Sequence, residues 1–298
     1  MVEVSAWRGR AHPLLSCDHR RGREGEGVPG FPVLYWPIKL LVAEPLVTAV
    51  FRPWVRGLEH VPSSGPAILA SNHLSAADTV LLPTVVQRRV TFIAKADLFT
   101  GRGLRGKLTK GLMHGIGQLP VDRSGGRAST AAIDSAVRVL GEGELLGIYP
   151  EGTRSPDGRL YRGRTGVARI ALASGAPVVP VAMIGTEDLL PTGRKLPRVR
   201  RVGAVFGPPL DFSRYAGRGD DQLVARSITD EVMYAIQKLS RQEYVDAYAE
   251  RSRLRTELSR STGVPEPPTT SSGGPGGRAA PPGEAPGPDA PRDGDAHR

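Results

Sequence analysis

A single cysteine, Cys17, stands in 298 residues, so neither a disulfide framework nor a cysteine-based metal site can form within the chain. One cysteine fits a reducing compartment. No apolar run reaches the roughly 20 uncharged residues that a spanning helix needs. The best stretch, residues 31–55, is interrupted by Pro37, Lys39, Glu44 and Pro45. The N-terminal residues show no clean signal peptide, because the apolar segment starts late and no small-residue cleavage pattern follows closely. The six histidines are scattered without His-Glu-x-x-His spacing, which argues against a metal hydrolase, and no metal is expected. No Gly-x-Ser-x-Gly elbow occurs, which argues against a serine hydrolase using Ser75. Internal repeats are absent too.

Lysine is scarce. Only six of the 40 basic residues are lysine and the rest are arginine, against 30 acidic residues, for a net charge of +10. The excess predicts anionic partners: phosphorylated metabolites, acidic lipid surfaces or nucleic acid. Arginine favours two-pronged contact with phosphate or carboxylate, although genome base composition produces the same bias.

Residues 1–28 are polar, Arg-rich and without period, and read as a disordered extension or as the product of a misplaced start codon. Residues 29–57 carry aromatic and basic side chains close together (Tyr35, Trp36, Lys39, Phe51, Arg52, Trp54, Arg56). That pattern predicts two short helices, broken near Pro45, lying at a membrane interface; a core-packing hairpin is the competing reading. From residue 66 to 207 apolar strand-like runs (66–71, 90–94, 117–121, 145–149, 178–183, 199–206) alternate with helix-like segments (76–87, 98–113, 127–141, 165–174). The alternation predicts an α/β fold with a mostly parallel central sheet flanked by helices. Residues 221–258 read as helix, with Leu223, Ile228, Val232, Ile236 and Leu239 at helical spacing. Residues 261–298 are rich in Pro and Gly and too poor in large apolar side chains to order, so a disordered tail is expected.

Three strand ends carry chemistry. Asn72-His73-Leu74-Ser75-Ala76-Ala77-Asp78 follows the run 66–71. His73 and Asp78 are five positions apart, about 140° around a helix, so they cannot share a helical face. They meet only if His73 lies in the loop before a helix and Asp78 in its first turn. Ser75-Ala-Ala-Asp78 matches a capping box that starts such a helix. A mere cap and a base–carboxylate pair are both open at this point. Gly117-Gln118-Leu119-Pro120-Val121-Asp122-Arg123 delivers a charged pair at a strand end, where ligands bind in open α/β sheets. Arg123 there suits a phosphate, or an ordinary surface turn. Tyr149-Pro150-Glu151-Gly152-Thr153-Arg154-Ser155 follows the run 145–149. Gly152 permits a sharp turn, Glu151 can accept from a hydroxyl, Arg154 can grip a phosphate, and Thr153 with the backbone amides adds neutral donors. A fourth segment, Val178-Val179-Pro180-Val181, has no chemistry. Its internal proline predicts a strand end or an edge.

In this order and spacing, Asn-His-x-x-x-x-Asp, Gly-x-x-Pro-Val-Asp-Arg, Pro-Glu-Gly-Thr-Arg-Ser and Val-Val-Pro-Val resemble the glycerolipid acyltransferase family over about residues 55–210. Phe92-Ile-Ala-Lys-Ala-Asp-Leu98 also resembles a family segment. Tyr149 stands where the family usually has Phe, and Leu119 where a bulkier apolar residue is frequent. The resemblance implies an acyltransferase domain over residues 58–260. It implies acyl transfer from a thioester, acyl-CoA or acyl carrier protein, to the sn-2 hydroxyl of 1-acylglycerol-3-phosphate, giving phosphatidic acid; another lysolipid, glycolipid or aminolipid acceptor is the alternative. His73 would be the base and Asp78 its orienter. Arg154, Arg123 and Lys95 would hold the acceptor phosphate, and Glu151, with Gly152 and Thr153, would bind glycerol hydroxyl or organise the loop. No cofactor is implied beyond the donor, which is a substrate. The expected setting is the cytoplasmic face of the membrane. A nucleic-acid module would explain the charge but not His73, Asp78 or Pro-Glu-Gly-Thr-Arg, so no nucleic acid is expected.

Overall fold

A computed structural model describes residues 36–95, 118–121, 128–187, 189, 201–250 and 252. Contacts divide the chain into residues 1–267 and 268–298, and all described residues belong to the first unit. The expected extension 1–28, the helix-like segment 98–113 and the tail 261–298 lie outside the described residues.

Seven strands form one sheet: β1 (Trp54–Arg56), β2 (Ala67–Ser71), β3 (Val90–Lys95), β4 (Gln118–Val121), β5 (Leu145–Ile148), β7 (Val178–Ile184) and β8 (Gly203–Phe206). The short strands β6 (Leu160–Tyr161) and β9 (Tyr244–Val245) pair separately. The order in the main sheet is β1-β8-β7-β2-β5-β3-β4, and only the β7–β8 pair is antiparallel. Helices α1 (Glu44–Phe51) and α2 (Asp78–Val85) cover one face. Helices α3 (Ala128–Gly141), α4 (Gly166–Ser174) and α5 (Gln222–Ser240) cover the other. With both faces covered, the central strands need apolar side chains on both sides. Along β2, Ala67 and Leu69 enter the core under α1 and α2, while Ile68 and Ala70 enter the core under α3, α4 and α5.

The structure corrects several expectations. Pro180 lies not at an edge but in β7, an interior strand. A residue's N and O point to the same side of a strand, and Pro180 O accepts from Gly207 N at 2.8 Å. Its missing donor therefore faces the place where the β8 ladder ends, and β2 loses nothing. No break occurs at Pro45. A π-helical run, Ile38–Ala43, passes directly into α1. The wider π winding makes room for the proline ring, which clashes with the carbonyl four residues back in an α-helix. Lys39, expected at a headgroup interface, is buried. Its ammonium donates to Val86 O at the carboxyl end of α2, and burial pushes its pKa down to about 8 against the opposing charge of Glu44. The expected boundary at residue 57 cuts through the sheet, because β1 pairs with β8 and Val47 of α1 sits in the core. The helix over 221–258 stops at Ser240, where Arg241 adopts a left-handed φ of 59°, and Leu223 faces solvent rather than the core. No helix among the described residues is long and apolar enough to cross a membrane.

Candidate active site

The carboxyl ends of β2 and β5 lie side by side, Ala70 in register with Ile148. That pairing brings the loops after them together, as expected for ligand sites in parallel sheets. His73 leaves β2 in an irregular segment, and a turn over Ser75–Asp78 leads into α2. Half of the capping box forms. Asp78 Oδ2 accepts from Ser75 N at 2.8 Å and from Leu74 N at 2.7 Å, while Ser75 Oγ accepts from Ala77 N at 3.3 Å rather than from Asp78 N. The same Oδ2 lies 3.0 Å from His73 Nδ1. Three groups converging on one carboxylate oxygen assign Nδ1 as a donor and leave the Nε2 lone pair for chemistry. Asp78 is fully buried, while the His73 side chain keeps 14% exposure. Cap and base–carboxylate pair therefore coexist: the backbone bonds that start the helix also fix the carboxylate that orients the imidazole.

Glu151 organises the loop, the second of its two expected roles, by bracing the two segments. Its Oε2 accepts from His73 N at 3.1 Å and its Oε1 from Tyr161 N at 2.9 Å, and it is 1% exposed. Burial pushes its carboxyl up to about 7, against the pull of the two backbone donors. Gly152 takes the left-handed φ of 75° that the tight turn demands. A further bond zips the two loops, Ser155 N donating to His73 O at 2.7 Å. Beyond the turn Arg154 is exposed and forms no ion pair among the described residues. The backbone amides of Thr153 and Arg154 likewise donate to nothing among the described residues. Lys95 ends β3 in register with Val121 of β4, at the same end of the sheet. Arg123 lies outside the described residues.

Three residues with no assigned role in the sequence reading shape the site. Asn72 mimics a ladder partner for β7: its Oδ1 accepts from Met183 N at 2.7 Å and its Nδ2 donates to Met183 O at 3.0 Å. Gln242, just past α5, accepts from Asn72 Nδ2 at 2.8 Å and donates to Gly158 O at 2.6 Å, so it joins both loops. The segment around it is pinned to the residues after the turn by β6–β9 pairing and by ion pairs Arg162–Asp246 at 3.2 Å and Arg164–Glu250 at 2.6 Å. The Tyr149 ring stacks on the His73 imidazole, with centroids 3.9 Å apart and an interplanar angle of 12°. Asn72 had a local signal, a polar side chain directly after a buried strand. Gln242 had none.

A carboxylate-oriented imidazole at a parallel strand end, with an exposed guanidinium and unpaired amides across a tight turn, sets a candidate base beside donors that suit an anionic group. Residues 52–184 match the Acyltransferase family model. The chain is 34% identical over 144 residues to the chloroplastic 1-acyl-sn-glycerol-3-phosphate acyltransferase BAT2 of Brassica napus, covering 48% of this chain and 40% of that one. It is 29% identical over 160 residues to the 1-acyl-sn-glycerol-3-phosphate acyltransferase of Bacillus subtilis, covering 53% of this chain and 73% of that one. The match thus spans under half the length of the plant relative. The crystal structure of PlsC, the 1-acyl-sn-glycerophosphate acyltransferase of Thermotoga maritima, superposes with a TM-score of 0.54 at 26% identity, over 69% of this chain and 79% of that one. Over residues 52–184 the chain thus resembles an acyltransferase domain, and its fold resembles that of PlsC.

Proposed function

We propose that the protein transfers a fatty acyl group from a thioester, acyl-CoA or acyl carrier protein, to the sn-2 hydroxyl of 1-acylglycerol-3-phosphate, producing phosphatidic acid. The observation that carries this reading is the His73–Asp78 couple, with Nδ1 engaged and Nε2 left open. In this mechanism Nε2 takes the proton of the acceptor hydroxyl as its oxygen attacks the thioester carbonyl. The C–S bond then breaks, and the imidazolium returns the proton to the departing thiolate. An acceptor already held in place supplies the nucleophile, so no enzyme nucleophile is needed. Arg154, with Lys95 and Arg123, holds the acceptor phosphate, and the unpaired amides of Thr153 and Arg154 are candidate donors to developing negative charge. The reaction takes place at the cytoplasmic membrane surface, to which residues around the exposed Leu41 attach.

The test supplies thioester donors and a panel of lysolipid acceptors to the full chain, and reads thiol release and product mass. Lysophosphatidate is expected to be the preferred acceptor, and His73→Ala is expected to lower kcat about 10³-fold. Turnover of the variant near that of the unaltered protein refutes the base assignment. Preference for an acceptor without a phosphate refutes the substrate.

A further inference from the structure

The hydroxyl of Tyr149 is buried with no hydrogen-bond partner, although the ring itself is only partly buried. The ring lies between His73, stacked at 3.9 Å, and Phe92, at 5.4 Å. A phenylalanine would make both ring contacts equally well. The hydroxyl is thus a cost to the resting fold, since an unpaired buried polar group forfeits its bonds to water. Burial, followed by the charge of Asp78, raises the phenol's pKa well above its ordinary value, so the group stays protonated and available as a donor. Asp78 Oδ1, on the carboxylate that orients the same imidazole, is also buried and without a partner.

We infer that the Tyr149 hydroxyl is a substrate-binding donor, giving its hydrogen bond to an oxygen of the bound substrate beside His73. This rests on the acyl-transfer reading above. The oxygen belongs either to the thioester carbonyl or to the acceptor hydroxyl, both of which must lie next to the imidazole for the proton to move.

Tyr149→Phe tests it, because the substitution keeps the stacking ring and removes only the donor. Thermal unfolding of the substrate-free protein and steady-state thiol release are measured on the full chain, with and without the substitution. The inference expects the two readouts to move in opposite directions: Tm rises by about 3 °C, and kcat/KM falls about tenfold, the factor for one neutral hydrogen bond. If the acceptor hydroxyl is the partner, the acceptor KM rises while kcat holds. If the carbonyl is the partner, kcat falls for every acceptor. Unchanged kcat/KM overturns the inference. So does a fall in Tm together with activity, which would make the hydroxyl a bonded part of the fold. Absence of thiol release from the unaltered protein with every acceptor refutes the acyl-transfer reading itself, and this inference with it.

Discussion

Glu151→Gln isolates the brace between the two active-site loops. Burial pushes the Glu151 carboxyl from 4.5 up to about 7, while the amides of His73 and Tyr161 pull the other way. The folded protein therefore binds this proton more tightly than the unfolded chain does. The resulting stability is fully present below about pH 4.5 and is lost as pH rises through about 7. At about 1.36 kcal/mol per pH unit, the loss across that window is about 3 kcal/mol. With Glu151 only 1% exposed, solvent screening does not reduce it. Glutamine cannot titrate. Its single oxygen satisfies one amide and its NH₂ opposes the other, at a cost of about 1–3 kcal/mol for the unpaired buried donor. At pH 4 the variant is thus expected to be the less stable protein, and near pH 8 the gap closes or reverses. Urea unfolding of both proteins at a series of pH values from 4 to 8 gives the difference directly and cancels every other titrating group. A difference that stays constant across this range refutes the account of Glu151.

Two further perturbations address the phosphate grip and the clamp. Arg154→Ala is expected to raise the acceptor KM about 10- to 100-fold with kcat little changed, as for loss of one charge-assisted contact; a rise in the donor KM alone would place the phosphate elsewhere. Gln242→Ala removes the bonds to Asn72 and Gly158 and is expected to cost about 1–3 kcal/mol in urea unfolding. Its kcat should fall as well, since Asn72 sets the exit of the chain towards His73; unchanged stability would show that the segment after α5 does not hold the loops.

The strands were legible because they are buried on both faces and read as continuous apolar runs: β2, β5 and β7 appear within a residue or two of the expected bounds. Pairing was not legible. Nothing local to Val178-Val179-Pro180-Val181 says that Gly207 will meet the proline's donorless side, so its interior position went unread. Lys39 misled for a related reason. A lysine among aromatic residues resembles an interfacial anchor, and only the neighbouring end of α2 gives its ammonium a buried acceptor.

By itself the sequence determined the α/β alternation, the His73–Asp78 pair and the Pro-Glu-Gly-Thr-Arg turn, since these depend on residue type and on spacings within a few positions. Tertiary structure decided what those residues do for one another. Adjacency of β2 and β5 let Glu151 organise the loops as a brace on the His73 amide. Return of the chain after α5 brought Gln242 within reach of Asn72, 170 positions away. Stacking on His73 made a hydroxyl at Tyr149 consequential. Such contacts form between distant segments, and their partners are fixed only when the sheet is assembled.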